Sequence, residues 1–448
     1  MATTSPYLEG NFAPVREELT AFDLPVTGTI PPELSGRLLR NGPNPVGHED
    51  PATYHWFTGD GMVHGVRLRD GKAEWYRNRW VRSPVVAAAL GGSAPPSPFP
   101  EGTPDFAANT NVIGHAGRTF AIVEAGSPPI ELTAELDTIG PTNLNATLEH
   151  PFSAHPHRDP MTGELHVVAY FWGWGNRIRY LRVSPDARVT RSVDVEVPGG
   201  PMVHDTAFTE RYVLLFDLPC TFDLDAAMSG ARLPYRWNED YTARIGLLPH
   251  DGDAADVVWC EIEPCFVYHL LNAFDAPDGR VVLDAVRHPK TFATDLLGPN
   301  EGATRLERWT MDPETGAAKN ETLDDHPQEF PRLDERRAGL EHRYGYGASF
   351  GSGATHGSAL KHDLTAATTS EHDYGRGRVT LEPVFVPRAA DGAEDDGWVL
   401  SYVYDATDDR SDVVILHAQD FTGEPVAIVH LPQRVPFGFH GNWVPDVQ

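Results

Sequence analysis

Cysteine, basic side chains and long apolar runs are all scarce in this chain of 448 residues. Its three cysteines, Cys220, Cys260 and Cys265, are too few and too oddly numbered for a disulfide framework, so we interpret them as reduced packing residues. No apolar run reaches the length of a bilayer-spanning helix, and residues 1–11 lack the basic start and apolar stretch of a secretory signal. We therefore expect a cytoplasmic protein.

Positively charged side chains are also scarce. Lysine and arginine number 36 against 64 acidic residues, which gives a formal net charge of −28. Such a protein repels phosphate backbones and is not attracted to anionic lipid head groups. We therefore expect no nucleic-acid partner, and any membrane contact has to be hydrophobic and transient.

Long helical periodicity is scarce as well, whereas turn residues are frequent. The 41 glycines and 39 prolines separate short runs of alternating or β-branched residues, a pattern typical of many short strands. The clearest strand candidates are Arg118–Glu124, Glu164–Trp172, Arg177–Val183, Val189–Val197, Tyr212–Asp217, Val257–Ile262, Arg280–Ala285, Trp398–Tyr404, Val413–His417 and Pro425–His430. At this chain length, so many strands favour an all-β propeller over a sandwich or a small barrel.

Three segments rich in turn-forming or small residues are expected to be loops that cap this propeller. They are Val85–Asn109, Leu218–Asp240 and Glu321–Thr365. No linker that would divide the chain is evident. We therefore interpret residues 1–448 as a single domain.

Four of the 20 histidines lie beside strand-like runs, in apolar or small-residue surroundings that would bury an imidazole: His155, His204, His269 and His440. Their wide spacing suits ligands delivered from different blades to a common axis and does not suit a local zinc motif. Neutral imidazole binds zinc, copper, iron or nickel, so the histidines alone leave the metal open. Four nitrogen donors without a carboxylate would leave room on an octahedral iron for dioxygen.

Three glutamates, Glu124, Glu329 and Glu382, lie in unusually apolar or proline-bounded contexts. A ligating histidine usually donates its second ring N–H to a carboxylate or a carbonyl, which fixes its tautomer and orientation. These glutamates are therefore candidates for that role, although a glutamate in a strand is more often solvated on the outer face.

These residues belong to a larger pattern. It includes Leu38–Pro45 (LLRNGPNP), His55–His64 (HWFTGDGMVH) and Ala107–Asn111 (AANTN), followed by the four histidine segments. From near Gly28 to Trp443, the chain resembles the carotenoid cleavage oxygenases. These are Fe(II) dioxygenases built on a seven-bladed β-propeller with a loop-rich cap over the metal centre.

The resemblance implies a role for each candidate residue. The iron ligands would be His155, His204, His269 and His440, and Glu124, Glu329 and Glu382 would orient three of the four imidazoles. Thr110 matches a position whose side chain projects toward the iron and restricts the approach of small ligands. His64 and His157 lie inside family motifs but match structural positions, so neither is a predicted ligand.

The implied function is oxidative cleavage of a carbon–carbon double bond in an apolar conjugated substrate, by dioxygen and Fe(II), to two carbonyl products. Relatives that cleave hydroxylated stilbenes or phenylpropanoids carry a lysine just before the first orienting glutamate, where this chain has Val123. The substitution favours a carotenoid or apocarotenoid, because a polar substrate end would stay unpaired there. Six aromatic residues, Trp80, Phe99, Phe106, Phe171, Trp172 and Trp174, are candidates to line the substrate tunnel.

Other interpretations remain open at this stage. The first is cleavage of stilbenoid or phenylpropanoid alkenes to aromatic aldehydes. The second is a non-catalytic ligand-binding propeller whose histidines stabilise the blades, which metal analysis would distinguish. A propeller hydrolase with a hard divalent cation is a third, but it would need a dominant cluster of oxygen ligands, and none is visible.

Overall fold

The computed structural model describes residues 5–104, 108–149, 151–299, 301–350 and 356–446. Within these ranges it contains 33 strands and only two α-helices, both short, at Pro84–Ala89 and Leu224–Met228. None of the described helices has both the length and the apolar character that crossing a bilayer requires. The predicted all-β class is confirmed.

Seven antiparallel sheets form the blades of a β-propeller, as predicted. From its innermost strand outward, blade 1 comprises Asn111–His115, Arg118–Ile122, Ile130–Leu132 and Thr138–Pro141. In the same direction, blade 2 comprises His157–Arg158, Leu165–Tyr170, Arg177–Val183 and Val189–Glu196. Blade 3 comprises Ala207–Phe208, Tyr212–Asp217, Arg244–Pro249 and Val258–Glu261; blade 4 comprises Phe266–Asp275, Val281–His288, Arg305–Met311 and Ala318–Asp324.

The remaining three blades complete the ring. Blade 5 comprises Gln328–Arg332, Tyr344–Phe350, His356–Asp363 and Thr368–His372. Blade 6 comprises the split strand Arg378–Thr380 and Val384–Pro387, then Gly397–Asp405, Arg410–His417, Ala427–His430 and Val26–Gly28. Blade 7 comprises Gly441–Pro445, Gly36–Pro43, Gly61–Arg69, Lys72–Trp80 and Thr20–Phe22.

Blades 6 and 7 close the ring because each combines strands from both ends of the chain. In blade 7, Arg40 pairs with Gly441, and in blade 6, Val26 pairs with Val429. Asp446 extends the closure, since its carboxylate accepts hydrogen bonds from Arg67 at 3.0 Å and from Ser35 at 2.9 Å. The interpretation of residues 1–448 as one domain stays a prediction.

All ten predicted strands are present, two with the predicted ends and eight with ends that differ by up to three residues. Central strands such as Gly397–Asp405 are buried along their whole length, because each blade packs between two others and hides both of its faces. The apolar cores accordingly lie between blades, and a single core packs side chains of blades 2, 3 and 4 together.

Two of the three predicted loop segments lie outside the seven blades, and the third prediction is wrong. Leu218–Asp240 forms a cap segment with a two-stranded hairpin, Cys220–Phe222 with Tyr235–Trp237, and a short helix. Val85–Asn109 has no strand in its described part. Glu321–Thr365, by contrast, contains three complete strands of blade 5, Gln328–Arg332, Tyr344–Phe350 and His356–Asp363. Gly345 in this segment serves close packing rather than a turn, since a Cβ there would lie 2.7 Å from the Leu271 side chain.

Candidate metal centre

The propeller brings the predicted site residues to the inner ends of its blades. Seven of the eight lie on the innermost strand of a different blade or within three residues of it: Thr110 in blade 1, His155 in blade 2, His204 in blade 3, His269 in blade 4, Glu329 in blade 5, Glu382 in blade 6 and His440 in blade 7. Glu124, the eighth, follows the second strand of blade 1. The wide spacing of these residues in sequence therefore becomes one residue per blade around a shared axis.

The four predicted histidines form one buried cluster. One ring nitrogen from each lies within 4.8 Å of the corresponding nitrogen of every other, and all four side chains are buried. Nε2 of His155 and Nε2 of His204 are 3.1 Å apart. Among the described residues this is the one group of histidine, cysteine and acidic side chains that could hold a metal ion.

The cluster fits a metal on its own geometry. Two nitrogens bound at right angles to one ion, each about 2.1 Å from it, are about 3 Å apart, close to the spacing of His155 and His204. Nε2 of His269 is buried and has no hydrogen-bond partner among the described residues, an arrangement that is costly unless something binds it. Four convergent imidazoles without a thiolate or carboxylate in the cluster suit a borderline transition metal better than a hard cation.

Each of three histidines donates through Nδ1 to one of the three glutamates singled out in the sequence. His204 is 3.1 Å from Glu124, and His440 is 2.9 Å from Glu382. The third pair is His269 with Glu329. A proton held on Nδ1 leaves the Nε2 lone pair facing the centre of the cluster, which is the tautomer that metal binding needs.

The two glutamates of blades 5 and 6 are held by further partners that the sequence analysis missed. Glu382 is 3.2 Å from the guanidinium of Arg332 and accepts from the amide of Gly441 at 2.7 Å. Glu329 contacts Nε2 of His288 at 2.6 Å. Both carboxylates are buried and depend on these neighbours to stay ionised. Arg332 and His288 belong to no sequence motif, because each meets its partner only in the folded chain.

The electrostatics keep the cluster ready for a cation. Burial and the neighbouring imidazoles lower the pKa of His155 well below its ordinary value, and burial lowers the pKa of His440 to about 4 although Glu382 opposes it. Burial also acts on Glu382, but Arg332 and His440 outweigh it and lower the pKa of this carboxyl to about 2. At neutral pH the cluster therefore combines neutral His155 and His440 with an ionised Glu382.

His440 is positioned by close backbone packing between two glycine-containing segments, one around Gly42 and one around Gly438. A Cβ at Gly42 would lie 2.5 Å from the Cα of Gly438, so these two chains approach as closely as glycine allows. Asn41 donates from its backbone to the carbonyl of His440 at 2.9 Å and from its side chain to Ala108 at 2.8 Å. Arg40–Pro43 lies within the blade 7 strand Gly36–Pro43.

Thr110 lies beside the cluster and its roles divide between backbone and side chain. Its carbonyl accepts from the amide of His440 at 3.0 Å, and its hydroxyl donates to Asn109 at 3.0 Å. The side chain is buried and lines the cavity described next. His64 and His157 lie outside the four-histidine cluster, as predicted, and contact Tyr76 and Asp205.

A cavity of about 860 Å³ reaches the histidine cluster, with His204, His269 and His440 in its wall. The wall is mostly apolar, and its aromatic residues include Phe12, Trp56, Phe57, Phe330 and Phe439. Val123 also lies in the wall, next to Glu124. The size and lining are those of a site for an apolar small molecule.

The predicted tunnel aromatics were mostly wrong. Trp172 lines the cavity, whereas Trp80, Phe99, Phe171 and Trp174 do not, and Phe106 lies outside the described residues. Trp80 instead packs against Met62 and Val86 and donates to the carbonyl of Asn44. The residues that do line the cavity come from segments distant in sequence, and no local pattern distinguishes them from core.

Comparison with known proteins identifies the family. The model of the retinal pigment epithelial membrane protein family matches residues 12–445. A carotenoid cleavage oxygenase of Mycobacterium tuberculosis is 46% identical, with 98% of each chain covered. The crystal structure of Pseudomonas brassicacearum lignostilbene dioxygenase superposes with a TM-score of 0.89 at 29% identity, with 98% of each chain covered. Cobalt-substituted apocarotenoid oxygenase of Synechocystis superposes with a TM-score of 0.86 at 27% identity over 96% of this chain and 97% of that one. The chain belongs to the carotenoid cleavage oxygenase family.

Proposed function

We propose that this protein is an Fe(II)-dependent dioxygenase that cleaves a carbon–carbon double bond of a carotenoid or apocarotenoid and gives two carbonyl products. The observation that carries the proposal is the position of four buried histidines at the wall of an apolar cavity of about 860 Å³. The curated relative with 46% identity is itself a carotenoid cleavage oxygenase.

His155, His204, His269 and His440 would hold the iron, and Glu124, Glu329 and Glu382 would fix the tautomers of three of them. Ferrous iron in this ligand set would offer open coordination positions and electron density to dioxygen, while the alkene is the group that is oxidised overall. A metal of this kind is supported by the donor set, because all four ligands are imidazoles. It is also supported by the structural relative that accepts cobalt.

The protein's own residues would bind and orient the alkene and exclude water. The aromatic wall desolvates a polyene, and the buried cluster at its end sets which bond lies over the metal. In the balanced reaction the alkene C=C bond and the O–O bond both break, and one oxygen atom goes to each former alkene carbon. No side chain has to act as a nucleophile or a base.

Val123 supports an apolar substrate. It lies in the cavity wall beside Glu124, at the position where phenol-cleaving relatives carry a lysine. A valine there offers no partner for a buried phenol oxygen, which would stay desolvated and unpaired. A polyene end has no polar atom that would be left unpaired at this position.

Cleavage of stilbenoid or phenylpropanoid alkenes is the second candidate. The observation that favours it is the close superposition of the whole chain on a lignostilbene dioxygenase. Val123 opposes it, so we rank it below carotenoid cleavage.

The test is anaerobic reconstitution with ferrous iron, followed by oxygen-dependent turnover of a panel containing an apocarotenoid, resveratrol and isoeugenol. Products are identified by mass after turnover under ¹⁸O₂, and zinc-loaded protein is the matched control. We expect label in both apocarotenoid products only with iron. Turnover of the phenolics alone would replace the first candidate with the second, and a lack of metal binding would leave a non-catalytic propeller.

We further propose that the protein takes up its substrate through a transient hydrophobic membrane contact at the cap. Val85 lines the cavity yet is 68% exposed, and the second cap helix exposes Leu224 by 65% and Met228 by 81%. Vesicles of neutral phosphatidylcholine test this. Met228→Glu should reduce co-sedimentation of the protein with the vesicles, whereas Met161→Glu should not. Met161 is 78% exposed, but it precedes the strand Leu165–Tyr170, and it is the opposite end of that strand, Tyr170, that lines the cavity. Equal binding of both variants would contradict the proposal.

A further inference from the structure

Asp205 connects three of the four histidine segments, although no motif marked it. It directly follows His204 and is buried. One carboxylate oxygen, Oδ1, contacts Nε2 of His157 at 2.7 Å, two residues after His155. The other, Oδ2, accepts from the amide of Leu270 at 3.2 Å, one residue after His269. A single carboxylate thus touches segments from blades 2, 3 and 4.

The contact with Leu270 occurs where blade 4 departs from regular pairing. The register between the strands Phe266–Asp275 and Val281–His288 shifts on both sides of Leu270. A β-bulge re-aims side chains and removes an amide from the ladder, and a buried amide without a partner is costly. Asp205 supplies the missing acceptor. The bulge that turns His269 toward the cluster is therefore stabilised by a residue of the neighbouring blade.

His155 is the histidine for which no glutamate partner appears among the described residues. Its Nδ1 is 3.8 Å from Oδ1 of Asp205. That distance exceeds a direct hydrogen bond, but a negative charge there favours a proton on Nδ1 over one on Nε2. The lone pair of Nε2 then faces Nε2 of His204 at 3.1 Å, a repulsion that a cation between them relieves.

We propose that Asp205 is a positioning residue of the metal centre: it holds the segments of His155, His204 and His269 in register and orients the one imidazole that lacks a glutamate. The inference rests on the proposed metal centre. It assigns Asp205 an electrostatic role toward His155, at 3.8 Å, whereas Glu124, Glu329 and Glu382 bind the other three histidines directly.

The test measures metal affinity by chelator competition with Co(II), together with the visible ligand-field spectrum of the Co(II) protein and the thermal unfolding of the apoprotein. Asp205→Asn should weaken Co(II) binding by about 10–100-fold and change the spectrum, the range typical for residues that orient metal ligands. The matched control is Asp217→Asn. Asp217 is equally buried and hydrogen-bonded, to Tyr241 and Arg244, but lies outside the cluster. It should lower the unfolding temperature without changing affinity or spectrum.

His157→Leu provides a second variant in case Asp205→Asn does not fold, since leucine cannot donate to the Asp205 carboxylate and leaves that carboxylate in place. It should weaken Co(II) binding several-fold and change the spectrum in the same direction. Wild-type affinity and spectrum in the folded variants would overturn the proposal. If the wild-type protein itself binds no metal, the proposed function fails instead, and the two failures are thereby distinct.

Discussion

Phe330 stacks on the imidazole of His269, with ring centroids 5.2 Å apart and planes inclined by 24°. The preceding residue, Glu329, binds Nδ1 of the same imidazole. Consecutive strand residues normally face opposite sides, but Phe330 has a φ of 53°, a left-handed conformation rare for an aromatic residue, and the strand register shifts at this point. Strained backbone of this kind is retained where the surroundings enforce it. Here it lets the consecutive residues Glu329 and Phe330 both contact the imidazole of His269.

Removal of a ligand should remove the metal. His204→Ala and His269→Ala each take one of four imidazoles from the cluster, and we expect metal content after reconstitution to fall from about one ion per chain to near zero. Elemental analysis of the gel-filtered protein measures this. His166→Gln is the control, because His166 is buried and bonded to Tyr180 away from the cluster. Full activity in either alanine variant would exclude that histidine from the ligand set.

Loss of the carboxylate behind a ligand should have a smaller effect. Glu329→Gln keeps the shape of the side chain but loses the charge that holds His269 and His288, so some metal should remain while turnover slows by about 10–100-fold. Steady-state turnover normalised to bound iron measures this. Phe330→Leu, which alters the stacking and leaves the carboxylate, should slow turnover less. If Phe330→Leu slowed turnover more than Glu329→Gln, the stacking of Phe330 on His269 would have the main orienting role.

Thr110 should control access rather than metal binding. Its contact with His440 runs through its backbone carbonyl, which a substitution preserves. Thr110→Ala should therefore leave metal affinity within about twofold, while the smaller side chain admits small ligands more readily. Titration of the ferrous protein with nitric oxide, followed by electron paramagnetic resonance, compares the variants. Thr110→Ser is the control, and unchanged nitric oxide affinity in the alanine variant would contradict the role.

The propeller and its centre were predictable because their signals are local. Each ligand segment carries its own apolar context, and strands such as Arg177–Val183 and Tyr212–Asp217 were predicted with the same ends that they have in the structure. The blade 5 strand Tyr344–Phe350 was missed because its glycines resemble a loop, whereas in the structure Gly345 leaves room for the Leu271 side chain. Asp205, His288 and Arg332 act through partners far away in sequence, so only the fold reveals them.

Acid should destabilise the apoprotein through buried neutral histidines. Burial lowers the pKa of His64 to about 3, and Arg40 and Arg434 add to the effect. Between that value and 6.5, the ordinary value, the unfolded chain binds a proton that the folded chain does not. Stability is therefore full above 6.5 and falls as the pH decreases toward 3, by up to about 1.4 kcal/mol per pH unit for this group.

Urea unfolding of wild type and His64→Asn, from pH above 6.5 down to about 5, measures this dependence. The slope of the unfolding free energy against pH should be shallower in the variant by the contribution of about one bound proton, because Asn cannot titrate. Parallel slopes would show that His64 titrates normally in the folded chain.

The closure of blade 7 has a consequence for the order of assembly. His440 lies directly before the strand Gly441–Pro445, which pairs with Gly36–Pro43 from the opposite end of the chain. During synthesis the other three ligands emerge first, but the fourth can take its place only when the ring is joined. Completion of the four-imidazole cluster is thereby coupled to closure of the ring, so a chain whose blade 7 has not yet closed presents at most three of these imidazoles together.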